Sequence, residues 1–311
     1  MNTIKTVAFL FLMAFNLTLL QAQEGHSLEG KWNLTIDQDG KKLPSWLEIR
    51  HSGSKTLIGR FTYAIGSARP IAEIEKYGEV FTFEIPPQWE PGASNMVFTG
   101  TMEDDQLKGK MVFVNGKSYS WTATRAPKLP YFDNPKEGKT IKLFNGKNLN
   151  GWVIKPGNQW EVVDGILTSP KSGVNLVSEE KFKDFKLHTE FRIPEKSNSG
   201  IYLRGRYEVQ IADNIGLEPS SIYFGGIYGL LIPNENVAMK AGEWQSFDIT
   251  LIGRRVTIVA NGKTIISNQN IDGMTGGALD NNEAEAGPIL IQGDHGSVEF
   301  RKLEITPLSK S

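Results

Sequence analysis

The chain of 311 residues carries 34 lysines and arginines against 35 aspartates and glutamates, so its formal net charge is −1. This balance gives no electrostatic reason to expect a nucleic acid or an anionic membrane as a partner. The sequence contains no cysteine, which excludes disulfides, thiolate catalysis and cysteine-ligated metals, and its length predicts two domains.

The first 22 residues have the pattern of a secretory signal peptide. Lys5 supplies the charged flank, an apolar run extends from Val7 to Leu20, and Ala22 is a small residue suited to cleavage. The run is too short for a membrane span, and without a cysteine no lipid-modified residue can follow it. We therefore expect a mature protein that is periplasmic or secreted and has no membrane span.

A first β-rich unit is predicted between residues 28 and 125. Its short alternating runs are separated by Gly, Asn and Asp turns, which is typical of a small antiparallel barrel or sandwich. The predicted strands are 30–37, 43–53, 57–66, 79–87, 95–104, 107–116 and 118–127. Since the unit contains no cluster of carboxylates or histidines, we expect it to be accessory.

Residues 126–139 contain three prolines among polar residues and no apolar period, which indicates a linker. A second β-rich unit follows over 140–308, where only the short stretch 178–185 approaches a helical period. Its alternating runs are 140–152, 160–169, 185–194, 200–213, 244–253, 255–267 and 287–308. Antiparallel strands in this number, without a sustained helix, predict a two-layer sandwich.

The second unit also carries an ordered set of motifs. They are "LFNGKNLNGW", "WEVVDGILTS", "FKLHTEFRIPEKSNSGIYLRG", "YEVQIADN", "GGIYG", "GEWQSFDITLIGRRVTIVANGK" and "GPILIQGDHGSVEFRKLEITPL". In this order they resemble the 3-keto-disaccharide hydrolase domain family, formerly a domain of unknown function. The resemblance covers nearly all of 140–308 and nothing before the linker. It implies a concanavalin A-like jelly-roll sandwich, so the fold class expected for the whole chain is all-β.

The resemblance further implies a secreted enzyme that acts on glycosides whose C3 hydroxyl has become a ketone. Such a ketone acidifies the C2 proton, so a base can remove that proton, the C1 substituent can leave by elimination, and water can then add. The site needs a base near C2, a donor for the enolate oxygen and an acid near the leaving oxygen. No redox cofactor is expected, so a separate sugar 3-dehydrogenase must supply the carbohydrate substrate in its oxidised form.

Strand alternation places Glu208 and Gln210 on one face of "YEVQIAD" and assigns the apolar residues between them to the core. If the strand over 200–213 runs straight through Gly205, Arg204 joins the same polar face. A bulge or bend at Gly205 would instead remove Arg204 from it. The motif therefore predicts a polar row of the kind that binds sugars.

Two further carboxylates extend this polar surface. Asp213 lies just beyond the Glu208 strand, and Glu190 belongs to a second polar row in the run 185–194. An alternative for Glu190 is that it holds Arg204 in an ion pair. Lys186 and Arg192 of that run are expected to belong to a solvated sheet face.

Two loops complete the predicted site. His295 lies in "QGDHGSVEF", which resembles the closing motif of the family and also contains Gln292 and Asp294. The pKa range of histidine suits either a base or a donor to the enolate, and Asp294 is expected to orient it or to cap the turn. In "GGIYG", Tyr228 is available to stack on a sugar ring.

The predicted catalytic residues are Glu208 and His295, and their assignment as base and acid stays open. The predicted substrate-binding residues are Arg204, Gln210, Glu190, Asp213, Tyr228 and Gln292. We expect no catalytic metal, because the chain has no His-x-His or His-Glu-x-x-His cluster. A structural calcium ion is compatible with the sequence but is not predicted.

Two other functions fit part of the pattern. A retaining glycosidase of the glucanase type would place carboxylates at i, i+2 and i+5, the spacing of Glu208, Gln210 and Asp213. The middle residue here is an amide, which cannot shift the pKa of a neighbour as a carboxylate would. A lectin-like module is the other alternative, and it would need neither Glu208 nor His295 for cleavage.

Overall fold

The computed structural model describes residues 27–311, and every regular element within them is a β-strand. The signal peptide predicted over residues 1–22 lies outside the described residues. Between residues 27 and 311, the chain has no helix long and apolar enough to cross a membrane. The expectation of an all-β fold is confirmed.

The first unit is a closed antiparallel barrel. Its strands are β1 Gly30–Gln38, β2 Lys41–Ser52, β3 Thr56–Thr62, β4 Arg69–Tyr77, β5 Val80–Ile85, β6 Met96–Glu103, β7 Gln106–Val112 and β8 Ser118–Arg125. They pair in sequential order, and β8 closes the barrel on β1. Alternate side chains fill the interior, as in β1, where Trp32, Leu34 and Ile36 are fully buried.

Strand β4 was not among the seven strands predicted for this unit. Its pairing with β3 shifts register between Leu57 and Gly59, which is a β-bulge. As a result Ile71 and Ile74, three residues apart, both point into the barrel. This bulge breaks the period-two pattern by which the other strands can be found.

The second unit is a sandwich of two sheets. Its strands are β9 Lys136–Glu137, β10 Ile141–Lys142, β11 Trp152–Val153, β12 Glu161–Val163, β13 Ile166–Ser169, β14 Leu176–Phe182, β15 Phe185–Arg192, β16 Asn198–Leu203, β17 Tyr207–Ala212, β18 Gln245–Ile252, β19 Arg255–Ala260, β20 Lys263–Asn270, β21 Gly287–Ile291 and β22 Val298–Ser309. The nine-stranded sheet has the order β12-β13-β22-β15-β18-β19-β20, with β9 and β10 also pairing to β22. The five-stranded sheet has the order β11-β14-β21-β16-β17.

Two segments form strands against their local pattern. The stretch 178–185, the one that approaches a helical period in the sequence, contains the end of β14 and the start of β15. The end of the predicted linker is also built into the sandwich, because Glu137 and Lys136 pair with Leu308 and Ser309. Short segments with mixed polarity follow their sheet partners rather than their local pattern.

The run 200–213 is a hairpin rather than one straight strand. Strands β16 and β17 pair along their length, with Tyr202 opposite Glu208 and Gly200 opposite Gln210. Between them Arg204 and Gly205 both adopt positive φ, at 55° and 67°. Two consecutive residues in this region are typical of a type I′ hairpin turn, so the alternation of the first strand does not continue into the second.

The barrel packs against the sandwich near the five-stranded sheet. Lys31 and Arg60 of the barrel each contact Asp272 of the sandwich at 2.5 Å. The backbone N–H of Gly277 donates to the carbonyl of Ala64 at 2.8 Å. These contacts place barrel loops over the outer face of the five-stranded sheet.

Candidate active site

A cavity of about 430 Å³ lies where the outer face of the five-stranded sheet meets the barrel. This volume is in the range typical of small-molecule sites. The sandwich lines it with Asn175, Asn198, Tyr202, Glu208, Gln210, Tyr228, Gly276, Gly277, Gln292, Asp294 and His295, and the barrel with Ile65, Gly66 and Trp89.

Glu208 is the buried carboxyl of this cavity, with only 3% of its surface exposed. Its neighbours in β17, Tyr207 and Val209, point into the sandwich core, so alternation directs Glu208 outward. Across the hairpin, Gly200 makes room for it. A Cβ at Gly200 would clash with the carboxylate and lie 2.9 Å from Cγ of Glu208.

The environment of Glu208 favours its protonated form. Burial raises the pKa of this carboxyl to about 8, although its hydrogen bond with Tyr202 and the charge of His295 act in the opposite direction. The Tyr202 hydroxyl lies 2.8 Å from Glu208 Oε2 and 3.0 Å from the carbonyl oxygen of Gly276. It can therefore donate to Glu208 when the carboxylate is charged, and to Gly276 when it is not.

His295 and Asp294 form a second titratable pair at the cavity. Their side chains meet at 2.7 Å between Nδ1 and Oδ1. This hydrogen bond raises the pKa of His295 and lowers the pKa of Asp294. Both side chains are about half exposed, so His295 can exchange protons with solvent while Asp294 fixes the orientation of the ring.

Three amide side chains line the cavity with unused acceptors. The oxygens Asn198 Oδ1, Gln210 Oε1 and Gln292 Oε1 are buried and have no hydrogen-bond partner among the described residues. Buried polar atoms are normally paired. Three unpaired acceptors lining one cavity therefore suit a ligand rich in hydroxyl donors.

Comparison with known proteins decides the family. Residues 139–306 match the family described as the 3-keto-alpha-glucoside-1,2-lyase-like domain. The chain belongs to this family. The resemblance found from the motifs, and its placement in the second unit, are confirmed.

Individual relatives match over shorter or more distant stretches. A 3-keto-disaccharide hydrolase of Bacteroides thetaiotaomicron is 30% identical over 112 residues, which are 31% of this chain and only 38% of that relative. Two solved structures from Parabacteroides distasonis, provisionally described as glycosyl hydrolases, are 22% and 29% identical. They cover 55% and 58% of this chain, 94% and 93% of their own chains, and have TM-scores of 0.47 and 0.46.

The family domain brings together five of the eight predicted site residues. Glu208, His295, Gln210, Tyr228 and Gln292 all line the cavity. Glu208 and Gln210 come from β17, and the other three come from loops that meet over it. Their roles in catalysis and binding stay predictions.

Arg204 is not in the cavity. It is fully buried, its Nη2 donates to the carbonyl of Gly253 at 2.5 Å, and its guanidinium lies over the ring of Tyr207. The hairpin turn at Gly205 explains this placement, since it ends the alternation that would have aligned Arg204 with Glu208. The predicted contact of Arg204 with the substrate, and its ion pair with Glu190, are therefore not formed.

Glu190 and Asp213 also lie away from the cavity. Glu190 projects from β15 of the other sheet, where it pairs with Arg301 and lies 3.3 Å from His188. Asp213 accepts a hydrogen bond from the backbone N–H of Lys196 at 2.7 Å and serves the loop there. The prediction that they contact the substrate is wrong, because neither carboxylate lines the cavity.

Sequence reasoning missed several lining residues. Tyr202 lies directly opposite Glu208, a relation that recognition of the hairpin turn would have given. Asn175 lies outside the motifs, and Asn198 lies within one of them but was not singled out for its side chain. Trp89 and Gly66 belong to the barrel, where the absence of titratable clusters had suggested an accessory role.

Within 27–311, no three side chains of the types His, Asp and Glu are arranged to hold a metal ion. The expectation that no catalytic metal is used stays a prediction, and a structural calcium ion was not predicted.

Proposed function

We propose that this protein cleaves 3-keto-glycosides by removing the C2 proton and expelling the C1 substituent, with net hydrolysis. The observation that carries the proposal is the cavity of the family domain, in which a buried, protonated Glu208 lies within electrostatic reach of a His–Asp pair. An acid and a base whose environments differ are what such an elimination requires.

In the proposed reaction, His295 acts as the base and Asp294 holds its ring. The imidazole removes the C2 proton, and the electron pair of the C–H bond forms an enolate with the C3 carbonyl. Collapse of the enolate makes a C1–C2 double bond and breaks the bond from C1 to the leaving oxygen. Glu208 donates its proton to that oxygen, and water then adds at C1 to give the free 3-keto sugar.

The remaining cavity residues are proposed to bind the sugar. The unpaired oxygens of Asn198, Gln210 and Gln292 would accept hydrogen bonds from ring hydroxyls. Tyr228, which is half-buried at the rim, would contact an apolar face of the ring. These contacts would orient the C2 proton toward His295, and orientation contributes a large part of catalysis.

An ordinary retaining glycosidase is supported less well. That mechanism needs two carboxyl groups about 5–5.5 Å apart, one of them a free nucleophile. The carboxyls lining the cavity are Glu208 and Asp294, and Asp294 is already bonded to His295. The lectin-like alternative gives no reason for a carboxyl buried at such a high pKa.

Turnover by the purified protein separates these three functions. We expect release of the aglycone from a 3-keto-glucoside and none from the matching unoxidised glucoside, because only the ketone acidifies C2. The variant Glu208→Gln keeps the shape of the side chain and loses the acid, so its turnover should fall by about 100-fold or more. Turnover of the unoxidised glucoside would indicate the glycosidase, and binding of both sugars without cleavage would indicate the lectin.

The cellular setting follows from the same proposal. A 3-keto-glycoside must be made by a sugar 3-dehydrogenase, since the elimination is redox-neutral overall. With the predicted signal peptide, we propose that the protein meets this substrate in the periplasm or outside the cell. Detection of the processed protein in extracellular or periplasmic fractions, beginning after Ala22, is the corresponding test.

A further inference from the structure

Trp89 has an unusual environment for a tryptophan. The chain has seven tryptophans, all within residues 27–311, and Trp89 is the one with an exposed side chain, at 65% of its surface. Trp152 and Trp160 are core residues, and Trp244 lies under the guanidinium groups of two arginines on the other sheet. Trp89 instead lines the cavity that contains Glu208.

The loop that carries Trp89 is held rigidly from beneath. Glu90 is buried and forms a two-pronged ion pair with Arg69, at 2.9 and 3.1 Å. The same carboxylate accepts the backbone N–H groups of Gln88 and Trp89, at 2.8 and 3.2 Å. A buried charge pair with this many hydrogen bonds fixes the loop, so the exposed indole is preorganised.

This loop is connected to the sandwich at the cavity rim through a second barrel loop, at Gly66 and Ser67. Gln88 Oε1 accepts the backbone N–H of Ser67 at 2.9 Å, and a Cβ at Gly66 would lie only 3.2 Å from Trp89. The backbone of Gly66 in turn packs so closely on Gly276 that no side chain fits there. Gly276 is the residue whose carbonyl faces the Tyr202 hydroxyl beside Glu208.

We infer that Trp89 is a binding platform for the leaving group of the substrate, so that the barrel and the family domain share one composite site. The inference rests on the proposed function. Glu208 is buried and Trp89 is exposed at the rim, so a substrate whose reacting ring meets Glu208 extends past Trp89 with the group attached to C1. Indole faces bind the C–H surfaces of sugar rings, which assigns a glycosyl leaving group to this position.

Two substrates with the same reacting ring test this assignment. They are a 3-keto-disaccharide, whose leaving group is a hexose, and methyl 3-keto-glucoside, whose leaving group is too small to reach the rim. In Trp89→Ala we expect KM for the disaccharide to rise about tenfold, which corresponds to about 1.4 kcal/mol lost with the contact to the indole. The change for the methyl glycoside should be much smaller, and Trp89→Phe should restore most of the loss for the disaccharide.

Tyr77→Ala is the matched control, because Tyr77 is an equally exposed aromatic residue of the barrel that does not line the cavity. We expect it to behave as wild type with both substrates. Equal effects of Trp89→Ala on the two substrates, or no effect on either, would overturn the assignment.

A binding measurement separates this inference from the proposed function. Calorimetric titration of Glu208→Gln with the 3-keto-disaccharide and with its unoxidised form reports affinity without turnover. If wild type cleaves neither sugar, and adding Trp89→Ala to Glu208→Gln still weakens disaccharide binding, the proposed reaction is wrong and the assignment of Trp89 as a platform stands. If disaccharide binding is undetectable or independent of Trp89, the platform is wrong whatever the reaction.

Discussion

Burial of Glu208 determines the protonation state of its carboxyl group. A carboxyl at the surface would be ionised at neutral pH, but this one lies under the barrel with Tyr202 as its hydrogen-bond partner. Because the pKa of this carboxyl is about 8, it is protonated in most molecules at pH 7. The neighbouring His295 has its pKa raised as well, through Asp294. Both groups are proposed to take part in the reaction, so both ionisations should be visible in one activity profile.

The pH dependence of kcat/KM for a 3-keto-glucoside is the first prediction at this scale. If Glu208 is the acid, the rate falls as pH rises through about 8, because the proton to be donated is lost. If His295 is the base, the rate rises with pH through a pKa above the ordinary histidine value. The expected profile is a bell with its maximum between these two ionisations.

The opposite assignment gives a profile of the same shape. With Glu208 as the base and His295 as the acid, the active form again carries one proton on the pair, so the profile is again a bell limited by the same two ionisations. A 3-keto-glucoside with a nitrophenyl leaving group separates the two assignments, because this leaving group departs without being protonated. If Glu208 is the acid, Glu208→Gln should lose little rate with that substrate; an equally large loss with both leaving groups would exchange the roles of the two residues.

At the scale of elements, the β16–β17 hairpin positions the acid. The register sets Gly200 and Tyr202 on the strand that faces Glu208 and Gln210. Gly200 has no side chain, so the carboxyl of Glu208 fills the space where a Cβ would be. One strand thus supplies the titrating group, and its partner supplies both the room and the hydrogen bond.

Gly200→Ala tests this arrangement. The added methyl group must displace the Glu208 side chain, and a displacement of about 1 Å at a catalytic group reduces the rate by about 100-fold. We expect kcat to fall by this order while the circular dichroism spectrum stays that of a folded β protein. Gly138→Ala is the control. The Cβ added there would lie 3.2 Å from its nearest neighbour, the carbonyl oxygen of Pro307, and Gly138 does not line the cavity. Unchanged kcat in Gly200→Ala would show that the position of Glu208 is not critical.

The same hairpin shows what strand alternation can and cannot predict. Alternation correctly paired Glu208 with Gln210 and assigned Tyr207 and Val209 to the core. It put Arg204 on the same face only if the strand ran straight, and the bend at Gly205, which the sequence left open as the alternative, is what the chain forms. Strand alternation therefore predicts which face each residue of a strand occupies, but it does not predict where the strand ends.

Glu190 marks a second limit. Alternation rightly placed it on a polar face, but that face belongs to the nine-stranded sheet and is solvated. Glu208 and Glu190 look alike in sequence, and they differ in what covers them. The covering element is the barrel, which lies more than a hundred residues earlier in the chain, so only tertiary structure separates the two carboxylates.

At the scale of the whole molecule, the barrel closes the site. Loops carrying Ile65, Gly66 and Trp89 reach the cavity from a unit that the family match does not include. Without the barrel, the outer face of the five-stranded sheet would be open to water and Glu208 would lose much of its burial. Packing of the two units is therefore expected to matter for activity as well as for stability.

Asp272→Ala tests that coupling. Asp272 joins Lys31 and Arg60 of the barrel to the sandwich, and all three side chains are about 30% exposed. Solvent screening limits the loss to about 1 kcal/mol, so we expect a melting temperature lower by about 2–4 °C. KM for a 3-keto-disaccharide should rise at the same time, because the platform loop moves with the barrel.

Asp37→Ala provides the comparison. It removes an ion pair with Lys42, also 2.5 Å long, that lies within the barrel and crosses no interface. Because exposed ion pairs are weakened by salt, the effect of either variant on melting should shrink at 1 M salt. Only Asp272→Ala should alter KM, since only that pair spans the two units. Equal KM values for the two variants would mean that the barrel stays in position without Asp272, held by its other contacts with the sandwich, such as the hydrogen bonds of Asn281 with Asn33 and Thr35.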